Sequence, residues 1–139
     1  MTILARGERE AYQRWILGTA KEFWDTFRAR FLALWSEHAA GDAFPARMFS
    51  TPGDGAALAA ARNAFLDSLF ADMLGFAACK MIRRIVGFAH VADFEGIHDA
   101  ARRAGCEAGA LAMARNLLTH PERFRSVDDV IQAVSAPKD

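Results

Sequence analysis

The chain has 139 residues and 17 Lys plus Arg against 17 Asp plus Glu, so it carries no formal net charge at pH 7. That length suits one domain, and a composition of 53% hydrophobic and 24% charged residues excludes both a disordered chain and an uninterrupted membrane span. The charge balance argues against an electrostatic nucleic-acid binder, and two cysteines without motif spacing exclude a disulfide scaffold or a Cys-based zinc site.

Alanine occurs 29 times, against 16 Val, Ile and Thr together, which favours helix over strand throughout. The first predicted element runs from Glu8 to His38. Tyr12, Ile16, Thr19, Phe23, Phe27, Phe31 and Leu34 recur at three- and four-residue steps, the pattern of a helix with one buried face. Trp15, Trp24 and Trp35 widen that stripe, so this helix calls for a partner surface. Ala39 to Gly55 reads as a loop, because Pro45 and Pro52 disfavour helix in the residues before them. A second helix is expected from Asp54 to about Leu74, with Leu58, Phe65, Leu66, Leu69, Phe70 and Met73 on its apolar side and Gly75 ending or kinking it.

A third helix follows from Phe76 to about Phe88, its apolar face formed by Cys79, Ile82, Ile85 and Val86. His90 to His98 lacks a helical period and reads as a connector. The fourth helix spans Asp99 to Thr119 and stops at the His120-Pro121 step. Ser126-Val127-Asp128-Asp129 resembles a capping box and opens a short last helix to about Ser135. The expectation is an all-α chain, one helical domain over residues 1–139, with about four to five helices. The start, Met1 to Gly7, has too short an apolar stretch for a signal peptide, so a cytoplasmic protein is expected, with no membrane or nucleic-acid partner.

Several residue groups invite a chemical reading. Glu95-Gly96-Ile97-His98 has the Glu-x-x-His spacing of di-iron bundles, but a single copy cannot build such a site. A helix N-terminal cap is the simpler reading, and no metal site is expected. Cys79 and Cys106 lie in apolar helical stretches, where free cysteine acts as a small hydrophobe. Gly53-Asp54-Gly55 lacks the further glycine and the Lys of a phosphate loop, and Gly105-x-x-x-Gly109, flanked by Arg102, Arg103 and Glu107, reads as close helix packing in water. One cluster stands apart. Lys80, Arg83, Arg84 and Gly87 fall at i, i+3, i+4 and i+7, a cationic stripe that is either a solvated face near a helix C-terminus or an anion site.

The run from Leu74 to Asp93, with Gly75-Phe76-Ala77, Ile82-Arg83-Arg84, Gly87 and Ala89-His90-Val91-Ala92-Asp93, resembles the C-terminal part of S-methyl-5-thioribose kinases. Tyr12 to Leu17, Trp24-Asp25-Thr26-Phe27, Phe31-Leu32-Ala33-Leu34-Trp35 and Gly41-Asp42-Ala43-Phe44-Pro45 are similar as well. The resemblance implies the helical part of a C-lobe in a protein-kinase-like or aminoglycoside-phosphotransferase-like fold. It also implies ATP-dependent phosphorylation of methylthioribose at its 1-hydroxyl, in methionine salvage, commonly by a homodimer. In that family the twin arginines, here Arg83 and Arg84, lie at the substrate site. Ala78 stands where members often have Gly, and Lys80 where some carry Glu. The β-rich N-lobe, the His-Gly-Asp catalytic loop and the acidic metal motif of the complete enzyme are expected outside this chain, together with ATP and Mg. No catalytic residue and no cofactor is therefore assigned to the chain itself, which is expected to be inactive alone. The alternatives are a free-standing helical interaction module and a small-ligand-binding helical bundle.

Overall fold

In a computed structural model, the described residues are 6–38, 44, 46–88 and 91–135. They form five α-helices: α1 (Arg6–Glu37), α2 (Asp54–Val86), α3 (Ala92–Glu95), α4 (Ala100–Thr119) and α5 (Val127–Ser135). Two short 3-10 turns, Ala46–Met48 and Pro121–Arg123, complete the regular structure, and no strand occurs among the described residues. The all-α class is as expected. Met1 to Ala5, most of the Gly41-to-Pro45 loop, and Ala89 and His90 of the similar run lie outside the described residues. The chain groups into two compact units, one up to Leu66 and one from Asp67, and α2 runs through the boundary.

In the first unit, α1 is 32 residues long, about 48 Å at about 1.5 Å per residue. The expected buried stripe holds only in part. Trp24 is buried (6% exposed) and Phe27, Phe31 and Trp35 are half-buried, whereas Tyr12, Trp15, Ile16, Phe23 and Leu34 are exposed. The reason is local. The first turns of α2 meet the C-terminal part of α1, where Phe65 packs against Phe31 and Trp35 with ring centroids 6.2 and 5.2 Å apart. Polar contacts reinforce that stretch. Arg28 Nη2 donates to Asn63 Oδ1 at 2.8 Å, and Arg62 donates to Ser36 Oγ at 3.0 Å and to the Trp35 carbonyl at 3.1 Å. The Arg62 guanidinium also lies 5.5 Å from the Trp35 ring centroid, within cation–π reach. Phe44 adopts a left-handed φ of 55°, uncommon for a bulky side chain, and its ring lies 5.8 Å from that of Trp35.

The helix expected to break at Gly75 does not break: residues 54–86 are one helix of 33 residues. A mid-helix glycine costs about 1 kcal/mol relative to alanine. Burial at Leu66, Phe70, Leu74 and Ala78, spaced four apart across the glycine, outweighs that cost. The same stripe corrects the expected apolar face beyond Gly75. The buried position is Ala78, and Cys79, one residue on, points about 100° away and is exposed. Val86 is exposed too.

Helix starts are set by short polar side chains. Thr51 donates through both its N–H and its hydroxyl to Asp54 Oδ2, at 2.7 and 2.6 Å, opening α2. Ser126 and Asp129 form the expected box: Asp129 Oδ2 accepts from the Ser126 N–H at 2.8 Å, and the Asp129 N–H donates back to Ser126 Oγ at 3.3 Å. The threonine bonds at Asp54 and the serine hydroxyl bond at Asp129 hold both carboxyls below the usual carboxylate range. At α4 the cap is Asp99, whose side chain accepts from the Arg102 N–H at 2.9 Å; Glu95 and His98 do not cap it. Asp99 wins because its carboxyl sits at the residue where the backbone is still extended (φ −70°, ψ 112°). The expected connector also holds one turn of helix, α3.

Candidate functional site

The last two turns of α2 carry the cationic stripe, with Lys80, Arg83 and Arg84 all exposed. Cations are favoured there by the partial negative charge of unpaired carbonyls at a helix C-terminus. Gly87 closes the turn, its N–H donating to the Arg83 carbonyl at 3.0 Å. A Cβ built on Gly87 would collide with that same carbonyl oxygen, so the glycine is required by the helix end itself. Gly87→Ala is expected to unwind this turn and lower helical content measurably, by an amount comparable to removing a helix cap, about 1 kcal/mol. A circular dichroism spectrum and melting curve unchanged from the parent would refute that.

Beyond Gly87, Val91 holds extended backbone (φ −113°, ψ 136°) and α3 follows as a single turn. The N–H groups of Phe94 and Glu95 both donate to the Val91 carbonyl, at 3.1 and 3.2 Å, and that of Ile97 to the Phe94 carbonyl at 3.0 Å. This tight turn brings Val91, Phe94 and Glu95 to the wall of a cleft of about 340 Å³. Arg84 and Ile85 of α2 and Arg103 and Glu107 of α4 complete its lining. Arg83, one residue earlier and about 100° round the helix, is not among the lining residues. The cleft therefore separates the twin arginines into one that faces it and one that does not. Arg103 Nε and Glu107 Oε1 are 4.0 Å apart, a loose i,i+4 pair in which both side chains keep a third or more of their surface exposed.

The sequence points to Arg83 and Arg84 together and does not mark Glu95, Arg103 or Glu107 as partners of one cleft. Only the i,i+4 spacing of Arg103 and Glu107 signalled a shared face. Gly105 serves no close packing, since a Cβ there would meet nothing within 4 Å. Cys106 lines a separate apolar groove with Met81, Met113 and Val134, and no His, Asp or Glu is among that groove's lining residues to activate the thiol.

Asp93-Phe94-Glu95 does have the Asp-x-Glu spacing of the acidic motif that the sequence reading placed outside the chain. On α3, however, residues two apart point about 200° from each other, so the two carboxylates cannot converge on one ion. Among the described residues no three His, Cys, Asp or Glu side chains group to hold a metal, and no helix is long and apolar enough to cross a membrane.

Comparison with known proteins gives a consistent set of relatives. The chain is 41% identical over 131 residues to methylthioribose kinase 1 of Oryza sativa subsp. japonica, covering 93% of this chain and 30% of that protein. It is 40% identical over 131 residues to methylthioribose kinase 2 of the same plant. It is also 39% identical over 125 residues to the methylthioribose kinase of Escherichia coli O45:K1, covering 90% of this chain and 29% of that one. The chain thus spans about 30% of the length of the curated relatives it matches. No protein-family model matches it.

Proposed function

We propose that the chain, similar over nine-tenths of its length to methylthioribose kinases, is a C-terminal segment of such a kinase and supplies its substrate side. In the complete enzyme, ATP-dependent phosphorylation falls on the 1-hydroxyl of methylthioribose, a cytoplasmic step of methionine salvage carried out by a homodimer. One observation carries the reading: the segment similar to these kinases over nine-tenths of its length holds Arg84 in the lining of a polar cleft. On this reading ATP and Mg are held by parts of the complete enzyme other than this segment. What these residues contribute is orientation. The planar fork of Arg84 can present two N–H donors to one sugar at a fixed angle, which a lysine cannot do.

The test is a hybrid: rice methylthioribose kinase 1 with its matching 131-residue segment exchanged for this chain. The hybrid is expected to phosphorylate methylthioribose with kcat within about tenfold of the rice enzyme, while the chain alone gives no product above a no-protein control. A hybrid that sediments and melts like the rice enzyme yet makes no product would overturn the proposal. A second reading, a free-standing helical interaction module, draws on the exposed Tyr12, Trp15 and Phe23 of α1. It predicts just such a folded but inactive hybrid.

A further inference from the structure

The cleft beside Arg84 has a charge pattern that the twin-arginine assignment does not account for. Its ionisable lining is two guanidinium groups, Arg84 and Arg103, and two carboxylates, Glu95 and Glu107, so their formal charges cancel. A site for a phosphate or a nucleotide would be expected to carry a surplus of cations. Here each arginine is matched by a carboxylate on α3 or α4. What suits a neutral molecule rich in hydroxyl groups is an alternation of donors and acceptors. Guanidinium N–H groups donate to hydroxyl oxygens, and carboxylate oxygens accept from hydroxyl protons, in charge-assisted bonds stronger than neutral ones. Ile85, Val91 and Phe94 add an apolar wall for the carbon face of a ring. The volume, about 340 Å³, is at the lower end for small-molecule sites, about 300–1,000 Å³.

The Arg103–Glu107 pair is loose enough to take part. At 4.0 Å it forms no tight hydrogen bond, so both groups keep capacity for a ligand. Because the two sit on successive turns of α4, which Asp99 caps, their spacing is set by helix geometry. Glu95 comes from a different element, at the end of α3.

We infer that Glu107, with Arg103 and Glu95, determines the specificity of the Arg84 cleft for a neutral polyhydroxylated sugar over an anion. The inference rests on the proposed kinase reading for the identity of the sugar, methylthioribose, but it concerns binding and not turnover.

The experiment follows backbone amide shifts of the isotope-labelled full chain during separate titrations with methylthioribose and with inorganic phosphate, each into the millimolar range. Methylthioribose is expected to move the amides of Arg84, Phe94, Glu95, Arg103 and Glu107 as a group, and phosphate to move them less at equal concentration. Glu107→Gln, which keeps shape but loses the charge, is expected to weaken sugar binding by about tenfold. Glu95→Gln is expected to act in the same direction from α3, so a local disturbance of α4 by the first variant cannot account for both. Asp72→Asn, on α2 outside the cleft lining, serves as the control and is expected to change nothing. If phosphate binds these residues more tightly than the sugar, or if the sugar moves amides elsewhere or none at all, the inference is overturned. In each of those cases the kinase reading stands or falls separately, on the turnover of the hybrid.

Discussion

Arg84→Lys in the hybrid kinase is expected to lower kcat by on the order of a thousandfold, the low end of what a positioned arginine contributes to phosphoryl transfer, and Arg83→Lys to cost less than about tenfold. The asymmetry follows from geometry, because only Arg84 lines the cleft. Both substitutions keep a positive charge at the end of α2, so any long-range attraction is preserved. What a lysine would lose at position 84 is the planar pair of donors proposed to fix the angle of the sugar. A misplacement of about 1 Å in a reacting group can cost on the order of a hundredfold by itself. Loss of orientation appears in kcat, because it acts in the transition state, and KM for methylthioribose should change far less. The check is a steady-state series on both variants with kcat and KM fitted separately. Equal effects at positions 83 and 84 would mean that the cleft is not the substrate site. No effect at either would make the stripe an ordinary solvated helix face.

The second large effect concerns stability. Leu66→Ala is expected to destabilise the chain by about 2–5 kcal/mol, a large share of the about 5–15 kcal/mol that holds a typical domain together. Leu66 is fully buried (0% exposed) on the continuous stripe of α2, so truncation removes apolar contacts and leaves a cavity. Val86→Ala on the same helix is the matched control. That side chain is 70% exposed, and its removal should change stability by no more than about 0.5 kcal/mol. Alanine also has the higher helix propensity of the two, which offsets part of any loss. Urea unfolding followed at 222 nm reads both variants. A Leu66→Ala cost below about 1 kcal/mol would show that the stripe does not hold α2 in place.

The helical class was legible because three- and four-residue spacing is a local property, visible in any window longer than two turns. The Ser126–Asp129 box and the stop at His120-Pro121 were legible for the same reason, since each is decided within a few residues. Gly75 was misread because its local cost was visible while the burial of Leu74 and Ala78 on either side was not. On α1 the spacing correctly marked an aromatic stripe. It could not tell which part of the stripe is covered, and the covered part is the one from Trp24 to Trp35. The candidate site divides in the same way. Arg83 and Arg84 were visible as one stripe, but a sequence does not state which of two neighbours turns toward a cleft. Glu95 and Glu107 were missed because they meet Arg84 only in the fold, where the end of α2, the turn after Val91 and α4 line one cleft.

The three tryptophans of α1 give the protein a built-in optical ruler. Trp15 is 63% exposed, Trp24 is 6% exposed and Trp35 is half-buried beneath a guanidinium. They sit nine and eleven residues apart on one helix, about 14 and 16 Å along its axis. Indole emission shifts to longer wavelength as the ring meets water, so the three should emit at separable colours and yield to a soluble quencher in the order 15, 35, 24. Replacing two of the three by phenylalanine would leave a single lamp at a chosen height. Whatever comes to cover the bare half of this helix should turn the lamp at Trp15 blue and leave the one at Trp24 unchanged.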